Sequence, residues 1–282
     1  MSSRPEHTAP PEIFYNETEA AKYTTNTRVI SIQNDMSYRA LELLALPEDK
    51  ACYLLDIGCG SGLSGEVLEE EGHVWVGLDI SKSMLDVAAD RGVEGDLFEH
   101  DIGQGLGFRP GTFDGAISIS VVQWLCNADK QSHNPYKRLS RFFTTLYTCL
   151  ARGARAVFQF YPESPAQIEM IVSSAMKSGF TGGLVVDYPN STKAKKFFLC
   201  LFAGYAGESG KAPELPKALD GEGDSVAYSN QSIRERQRRG DKHRRPVKDK
   251  DWIQRKKELA RARGKETAND SKYTGRKRKT RF

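Results

Sequence analysis

The segment that most constrains the fold is LLDIGCGSG, residues 54–62. An apolar run leads into Asp56, and glycine then occupies every second position, at Gly58, Gly60 and Gly62. Glycine tolerates positive φ and leaves backbone N–H groups open to a ligand, so this pattern is typical of a ligand-binding turn between a strand and a helix. Such turns lie at the carboxyl edge of a parallel sheet. We therefore expect an α/β fold with a cofactor at this turn.

Downstream of this turn, short apolar runs alternate with amphipathic segments, which is the pattern of successive βα units. A helix is predicted before the turn, over 26–46. Strands are predicted at 52–57, 74–79, 94–99, 114–119 and 154–160, and helices at 61–71, 82–91, 136–151 and 165–178. The last two strands, 181–187 and 195–203, are joined by too few residues for a crossover helix, so they should pair antiparallel. The pattern predicts a doubly wound, mostly parallel sheet with a terminal antiparallel hairpin.

The composition of the chain changes after residue 204, where Gly, Pro, Lys, Glu and Ser replace the apolar runs. We place the folded domain at 1–204 and interpret 205–282 as a basic, largely disordered extension. At the other end, residues 1–12 contain three prolines and are predicted to be disordered. Residues 13–46 are predicted to form an N-terminal lid and helix.

The net charge of +4 conceals two oppositely charged parts. Residues 234–282 hold 21 Lys and Arg against 7 Asp and Glu, which leaves 20 basic and 30 acidic residues for 1–233. Dense positive charge binds polyphosphates through counterion release, so we expect the basic tail to contact nucleic acid. No apolar run approaches the length of a membrane span, and the N-terminus lacks an apolar signal core. The sequence therefore predicts no membrane partner and no secretion.

The cysteines and histidines do not form a metal-binding pattern. No CxxC pair occurs among the five cysteines, Cys52, Cys59, Cys126, Cys149 and Cys200. We therefore expect reduced thiols, in the cytosol or nucleus, and no bound metal.

Three acidic residues at consecutive strand ends bear on the choice of cofactor. Asp56 comes just before the glycine turn, Asp79 ends the second strand, and Asp101 follows the third. The glycines alone leave a dinucleotide possible, because residues 60–65 match G-x-G-x-x-G. Asp79 suits the ribose hydroxyls of either cofactor, and Asp101 suits an adenine amine. An anion at Asp56 gives a pyrophosphate nothing but favours the cationic S-adenosylmethionine, which we predict in preference to NAD.

The sequence after the fourth strand narrows the choice of methyl acceptor. Adenine amines are usually handled by an Asn/Asp-Pro-Pro-aromatic turn, but this place reads SISVVQW. Pyrimidine C5 needs a cysteine nucleophile, commonly after proline, and the chain has no Pro-Cys pair. A ribose hydroxyl benefits from a lysine base, which the strands do not supply. Guanine N7 needs no base, because its lone pair is unprotonated at neutral pH, but a small-molecule acceptor stays open.

Aromatic and amide side chains follow the predicted strand ends and indicate a flat acceptor, since planar bases are recognised by stacking. The candidate substrate-binding residues are Tyr15, Gln123, Trp124, Tyr161, Pro162, Tyr188 and Asn190.

Five segments carry a resemblance to a known family. They are FYNETEAAKYTTNTRVISIQ, LLDIGCGSGLSGEVL, GTFDGAISISVVQWLCNA, VVDYPNSTKAKKFFLCLF and the terminal YTGRKRKTRF. They resemble the eukaryotic 18S rRNA (guanine-N7)-methyltransferases over nearly the whole chain, with the weakest match in 205–250. The family implies a class I methyltransferase fold, Rossmann-like, with S-adenosylmethionine as cofactor and S-adenosylhomocysteine as product.

The resemblance also implies residue roles and partners. No general base is implied, and the implied cofactor-binding residues are Tyr23, Asp56, Gly58, Cys59, Gly60, Asp79, Ile80, Met84, Asp101, Ile102 and Ser118. It implies work on 18S rRNA in the pre-40S particle, in the nucleus and nucleolus and also in the cytoplasm, with a second role in small-subunit assembly. It further implies a heterodimer with a small zinc-binding methyltransferase activator, docked on the edge strand near Val93–Phe98. A ribosome-assembly scaffold whose methyl transfer is dispensable remains the alternative.

Overall fold

The computed structural model of the protein describes residues 4–47, 50–130, 133–204, 213–219 and 226–228, together with Lys257 and Arg261. The chain divides into two compact units, Met1–Asn230 and Gln231–Phe282. Of the second unit only Lys257 and Arg261 are described, and both are helical. The predicted disorder of the basic tail therefore falls on residues that lie outside the description.

The first unit is built on one eight-stranded sheet. The strands are β1 (Tyr53–Ile57), β2 (Val74–Asp79), β3 (Asp96–Glu99), β4 (Phe113–Ile119), β5 (Leu150–Phe160), β6 (Thr181–Asp187), β7 (Lys196–Phe202) and β8 (Val226–Tyr228). Their order in the sheet is β3-β2-β1-β4-β5-β7-β6-β8. Strands β1 to β5 run parallel, whereas β7 is antiparallel to both β5 and β6, which confirms the predicted terminal hairpin.

Helices cover both faces of this sheet. They are α1 (Pro11–Phe14), α2 (Glu17–Thr25), α3 (Thr27–Leu44), α4 (Leu63–Glu70), α5 (Lys82–Asp90), α6 (Pro135–Cys149) and α7 (Pro165–Lys177). Because neighbouring strand residues point to opposite faces, Leu54 packs with α3 while Leu55 packs with α6 and α7. Both residues are fully buried, so the two cores are closed and the carboxyl edge of the parallel strands is left for the site.

The N-terminal segment is more ordered than the sequence predicts. Residues 4–12, which we expected to be disordered, include a 3₁₀ turn at Pro5–His7 and the start of α1. The guanidinium of Arg4 donates hydrogen bonds to the carbonyl oxygens of Tyr161 (2.8 Å) and Pro162 (3.0 Å). This long-range anchor explains the order, since a proline-rich composition does not reveal partners 157 residues away.

The first unit also continues beyond residue 204, where the sequence predicts the folded part to end. Buried Asp187 accepts hydrogen bonds from Arg39 Nε (2.9 Å) and from the backbone N–H of Leu219 (2.9 Å). The same guanidinium donates to the carbonyl of Lys217 (2.9 Å). Strand β8 then pairs antiparallel with β6. Residues 217–219 are held by hydrogen bonds to Asp187 and Arg39, and 226–228 by pairing with β6. The end of the apolar runs at residue 204 therefore does not mark the end of the folded unit.

Candidate active site

The glycine turn after β1 depends on backbone that only glycine adopts easily. The φ angles of Gly58, Gly60 and Gly62 are 75°, 54° and 82°. A Cβ atom built on Gly58 would lie 2.1 Å from Cγ2 of Val121. The N–H of Gly58 donates to the carbonyl of Leu78 (2.7 Å), which fixes the turn to the end of β2. Positive φ and close packing both exclude a side chain at this position.

Asp79 at the end of β2 is held by backbone donors. Its Oδ2 accepts from the N–H of Gly60 (2.9 Å) and its Oδ1 from the N–H of Ser81 (2.8 Å). Burial raises the pKa of this carboxyl to about 6, although both hydrogen bonds work in the opposite direction. A carboxylate has about four lone-pair sites, so Asp79 retains acceptor capacity toward a ligand.

Asp56, at the end of β1, lies behind the glycine turn and is fully buried. Its Oδ2 accepts from Ser64 Oγ at 2.6 Å, while Oδ1 has no hydrogen-bond partner among the described residues. Burial raises its pKa to about 7; the Ser64 hydrogen bond lowers it and the charge of Asp79 raises it further. A buried carboxylate oxygen without a partner is costly unless a ligand or water satisfies it. This oxygen is therefore a marker of an incomplete site.

One cavity joins these features at the carboxyl edge of the sheet, with a volume of about 1070 Å³ that includes its open mouth. Eleven of the predicted site residues line it. They are Tyr15, Tyr23, Gly58, Cys59, Gly60, Asp79, Ile80, Met84, Asp101, Ile102 and Trp124.

The other predicted residues lie outside the cavity wall. Asp56 reaches the wall through Ser64, which is part of it. Ser118 is buried and donates to the carbonyl of Ile57 (2.8 Å), so it joins β4 to β1. Gln123 is buried, and its Nε2 donates to the carbonyl of Ser120 (2.9 Å). Tyr161 and Pro162 follow β5, and Tyr188 and Asn190 lie in the β6–β7 turn.

Asp101, after β3, is paired with a residue that the sequence did not single out. Its Oδ1 accepts from Arg138 Nη2 (2.6 Å) and from the N–H of Gly103 (2.9 Å). Burial alone would raise the pKa of Asp101, but the charge of Arg138 and these hydrogen bonds lower it overall. Asp101 Oδ2 has only a 3.4 Å contact with Gln104 Nε2, so it can accept from an adenine amine.

The N-terminal segment supplies an aromatic cover for the cavity. The ring centroids of Tyr15 and Trp124 are 5.9 Å apart, and those of Tyr15 and Tyr23 are 6.0 Å apart. The carbonyl of Tyr15 accepts from Ser81 Oγ at 2.7 Å, which ties the cover to the start of α5. Burial raises the pKa of both tyrosines, so their phenols stay neutral at physiological pH.

The sequence matches two protein families and a set of full-length relatives. The family described as "Methyltransferase domain" matches residues 55–158, and "Methyltransferase involved in Williams-Beuren syndrome" matches 201–280. A Mus musculus protein named 18S rRNA (guanine-N(7))-methyltransferase is 56% identical over 100% of this chain and 99% of its own length. An Arabidopsis thaliana protein, 18S rRNA (guanine-N(7))-methyltransferase RID2, is 57% identical over 100% of both chains.

The chain belongs to the 18S rRNA (guanine-N7)-methyltransferase family. A Saccharomyces cerevisiae relative, 18S rRNA (guanine(1575)-N(7))-methyltransferase, is 51% identical over 99% of this chain and 100% of its own length. The second family match includes 205–250, where we expected the resemblance to be weakest. The match does not rank these residues against the rest of the chain, so that expectation stays a prediction.

Solved structures agree with this methyltransferase family in fold. Haemonchus contortus phosphoethanolamine N-methyltransferase 2, in complex with S-adenosyl-L-methionine, has a TM-score of 0.52 at 16% identity, covering 72% of this chain and 61% of that chain. A TehB-like methyltransferase from Corynebacterium glutamicum has a TM-score of 0.51 at 17% identity, covering 67% of this chain and 100% of that one. These likenesses confirm the class I methyltransferase fold.

Several polar residues of this family member's cavity carry no motif and were missed from the sequence. They include Glu12, Gln33, His100, Asp129, Lys130, His133 and Arg138. Glu12 and Lys130 form an ion pair of 3.2 Å that joins the N-terminal cover to the segment after the 3₁₀ turn Val122–Cys126. Such residues are brought together only by the fold, so neither spacing nor local pattern indicates them.

Among the described residues, no group of three or more His, Cys, Asp or Glu side chains could hold a metal ion. Among those same residues, none of the helices combines the length and apolarity needed to cross a membrane.

Proposed function

We propose that this protein transfers the methyl group of S-adenosylmethionine to N7 of a guanosine in 18S rRNA. The observation that carries this proposal is the 51–57% identity, over 99–100% of the chain, to proteins of that name in mouse, Arabidopsis and yeast. The cavity wall includes the glycine turn and the acids Asp79 and Asp101, and Asp56 lies behind it, which fits a class I cofactor site.

The residues present fit S-adenosylmethionine. Asp79 would accept from the two ribose hydroxyls, and Asp101 Oδ2 from the adenine amine. The unpartnered Oδ1 of Asp56, which lies behind the cavity wall, would accept from the cofactor's ammonium through a bridging water. When bound, the cofactor supplies a methyl group on a positively charged sulfur. The N7 lone pair would bond to the methyl carbon, and the sulfur would leave as a neutral thioether.

The chain's own contribution to the reaction is positioning. Holding two reactants in line replaces a bimolecular encounter and is sufficient for large rate gains. The rings of Tyr15 and Trp124, which pack against each other at the cavity wall, are the aromatic surface on which we propose that the purine stacks. The phenols of Tyr15 and Tyr23 stay neutral and so do not act as bases. This is consistent with N7 as the acceptor, because its lone pair needs no base.

We extend the proposal to a protein partner at the β3 edge. Strand β3 pairs only with β2 within the described sheet, and its Phe98 side chain is 49% exposed. Val74 at the start of β2 is 60% exposed. An open strand edge with exposed apolar side chains suits strand addition by another protein. The proposed occupant is the small zinc-binding activator, and the proposed sites of action are the nucleus, the nucleolus and the cytoplasm.

The experiment is to map N7-methylguanosine on 18S rRNA in cells that carry the protein, lack it, or carry Asp79→Ala. We expect the mark only with the wild-type chain, and its persistence in cells lacking the protein would refute the proposal. Normal small-subunit maturation with Asp79→Ala, without the mark, would separate an assembly role from catalysis. A small-molecule acceptor is the weaker alternative, because it would not require a tail with 21 basic residues.

A further inference from the structure

The β6–β7 turn, residues 188–195, and the first residue of β7 carry a local excess of positive charge. Residues 188–204 contain no Asp or Glu but include Lys193, Lys195 and Lys196. This local excess contrasts with residues 1–233 as a whole, where acidic residues outnumber basic ones 30 to 20. Lys193 is exposed, and the other two lysines are half-buried.

Two of these lysines, Lys195 and Lys196, are positioned by aromatic rings and not by carboxylates. Lys195 Nζ lies 5.1 Å from the ring centroid of Phe197, and Lys196 Nζ lies 5.3 Å from that of Tyr161. Within the described ranges, none of the three turn lysines forms an ion pair, whereas Lys22, Lys50, Lys82 and Lys130 each do. Cation–π contacts orient an ammonium and leave N–H donors for another acceptor.

The β6–β7 turn, which carries these lysines, is held by its own hydrogen bonds and packs beside a buried ion pair. Ser191 caps its residues, since its Oγ accepts from the N–H of Ala194 (3.0 Å) and its carbonyl from the N–H of Lys195 (3.2 Å). Beneath the turn, Asp187 is buried and bound by Arg39. Because this acid is already paired, it does not neutralise the lysines above it.

The position of the turn links it to the active site. Strand β6 ends and β7 begins at the edge where β1 and β4 end, because Asp187 pairs with Lys196 and Phe160 with Phe197. Two or three strand spacings separate β4 from the turn, which is roughly 10–14 Å. Tyr161, under Lys196, is also the residue whose carbonyl anchors Arg4 of the N-terminal cover. The turn is therefore within reach of a polynucleotide that places one base in the cavity.

We propose that the β6–β7 turn binds the phosphodiester backbone of the RNA beside the target guanosine, with Lys193, Lys195 and Lys196 contacting phosphates. The inference rests on the proposed function, which supplies the RNA acceptor. It gives Tyr188 and Asn190, which lie outside the cavity, a place on this surface and not against the methylated base.

The test uses the full chain and a deproteinised 18S rRNA transcript, with affinity measured by filter retention between 50 and 200 mM salt. The turn variant replaces its three lysines: K193Q, K195Q and K196Q. A matched control removes three exposed cations at the opposite edge of the sheet: K50Q, R152Q and K177Q. A charge-preserving variant carries K193R, K195R and K196R.

We expect the turn variant to lower the slope of log affinity against log salt by about 2, and the affinity at 100 mM salt by about 10- to 100-fold. The control should stay within about twofold of wild type, the arginine variant should bind like wild type, and S-adenosylmethionine affinity should not change. Equal losses in the turn variant and the control would overturn the proposal, as would unchanged RNA binding in the turn variant. If the wild-type chain installs the mark in cells while the turn variant binds normally, only this inference fails and the proposed function stands.

Discussion

The glycine turn and the β6–β7 turn lie at the same edge of one sheet but are specified in different ways. At Gly58, positive φ and the 2.1 Å approach of Val121 leave one residue type possible. At the β6–β7 turn, Tyr188 also has positive φ (50°) although it is not glycine, and the function argued for it depends on charge. The proposed cofactor binding at the glycine turn therefore depends on backbone geometry, and the proposed RNA binding at the β6–β7 turn depends on side chains. We expect mutations at the glycine turn to cause sharp losses of binding, and mutations at the β6–β7 turn to cause graded losses.

The largest expected effect is at the glycine turn. Gly58→Ala should abolish measurable S-adenosylmethionine binding in calorimetric titration, because its Cβ meets Val121. Gly72→Ala is the matched control, since Gly72 also has positive φ (78°) but nothing within 4 Å of a built Cβ. Positive φ should cost each variant about 1–2 kcal/mol of folding stability, Gly58→Ala should lose more because of the overlap with Val121, and only Gly58→Ala should lose the ligand. Equal retention of binding in the two variants would show that the turn is not the cofactor site.

The next effect concerns Asp79. Asp79→Asn weakens the acceptors for two ribose hydroxyls, and charge-assisted hydrogen bonds contribute about 1.5–3 kcal/mol each, so the Kd for S-adenosylmethionine should rise about 100-fold. Asp86→Asn removes an exposed carboxylate that pairs with Lys82 on α5 and should leave the Kd unchanged. A similar Kd in both variants would exclude Asp79 from cofactor binding.

A graded effect is expected on the acceptor side. Trp124→Ala should reduce kcat/KM for the RNA substrate by about 5- to 100-fold, because base–aromatic stacking contributes about 1–3 kcal/mol. Trp75→Phe offers a control on a buried tryptophan that lies outside the cavity wall. If Trp124→Ala instead changes the Kd of the cofactor and leaves kcat/KM for RNA intact, the Trp124 ring contacts the cofactor and not the acceptor base.

The smallest effect is on pH dependence. Asp79 has a raised pKa of about 6, and its carboxylate is the form that accepts from ribose hydroxyls. Cofactor affinity should therefore rise by up to about 10-fold from pH 5 to pH 7, and Asp79→Asn should flatten this component. The unliganded protein should show the opposite trend: a folded pKa above the unfolded value means that this group's contribution to stability falls as pH rises from about 4 toward 6. A pH profile unchanged by the mutation would assign the titration to another group, such as Asp56.

The sequence predicted much of the cavity wall, because the pattern around the glycine turn is local; which of these residues bind the cofactor stays a prediction. Glycines at alternate positions and acids at strand ends are visible in a single segment, and the structure gathers eleven predicted residues around one cavity. Arg138, Glu12 and Lys130 were missed, since their roles arise only when distant segments meet. The same reason explains the order of residues 4–12, anchored by Arg4, and of 213–219, anchored by Asp187.

The most direct test of the central claim is to follow the methyl group itself. Pre-40S particles from cells lacking the protein would be incubated with the purified chain and S-adenosylmethionine labelled on its methyl carbon, and the 18S rRNA digested to nucleosides. We expect label to appear in N7-methylguanosine with the wild-type chain and none to appear with Asp79→Ala. Label in another nucleoside, or in no RNA product while a small molecule is methylated, would contradict it.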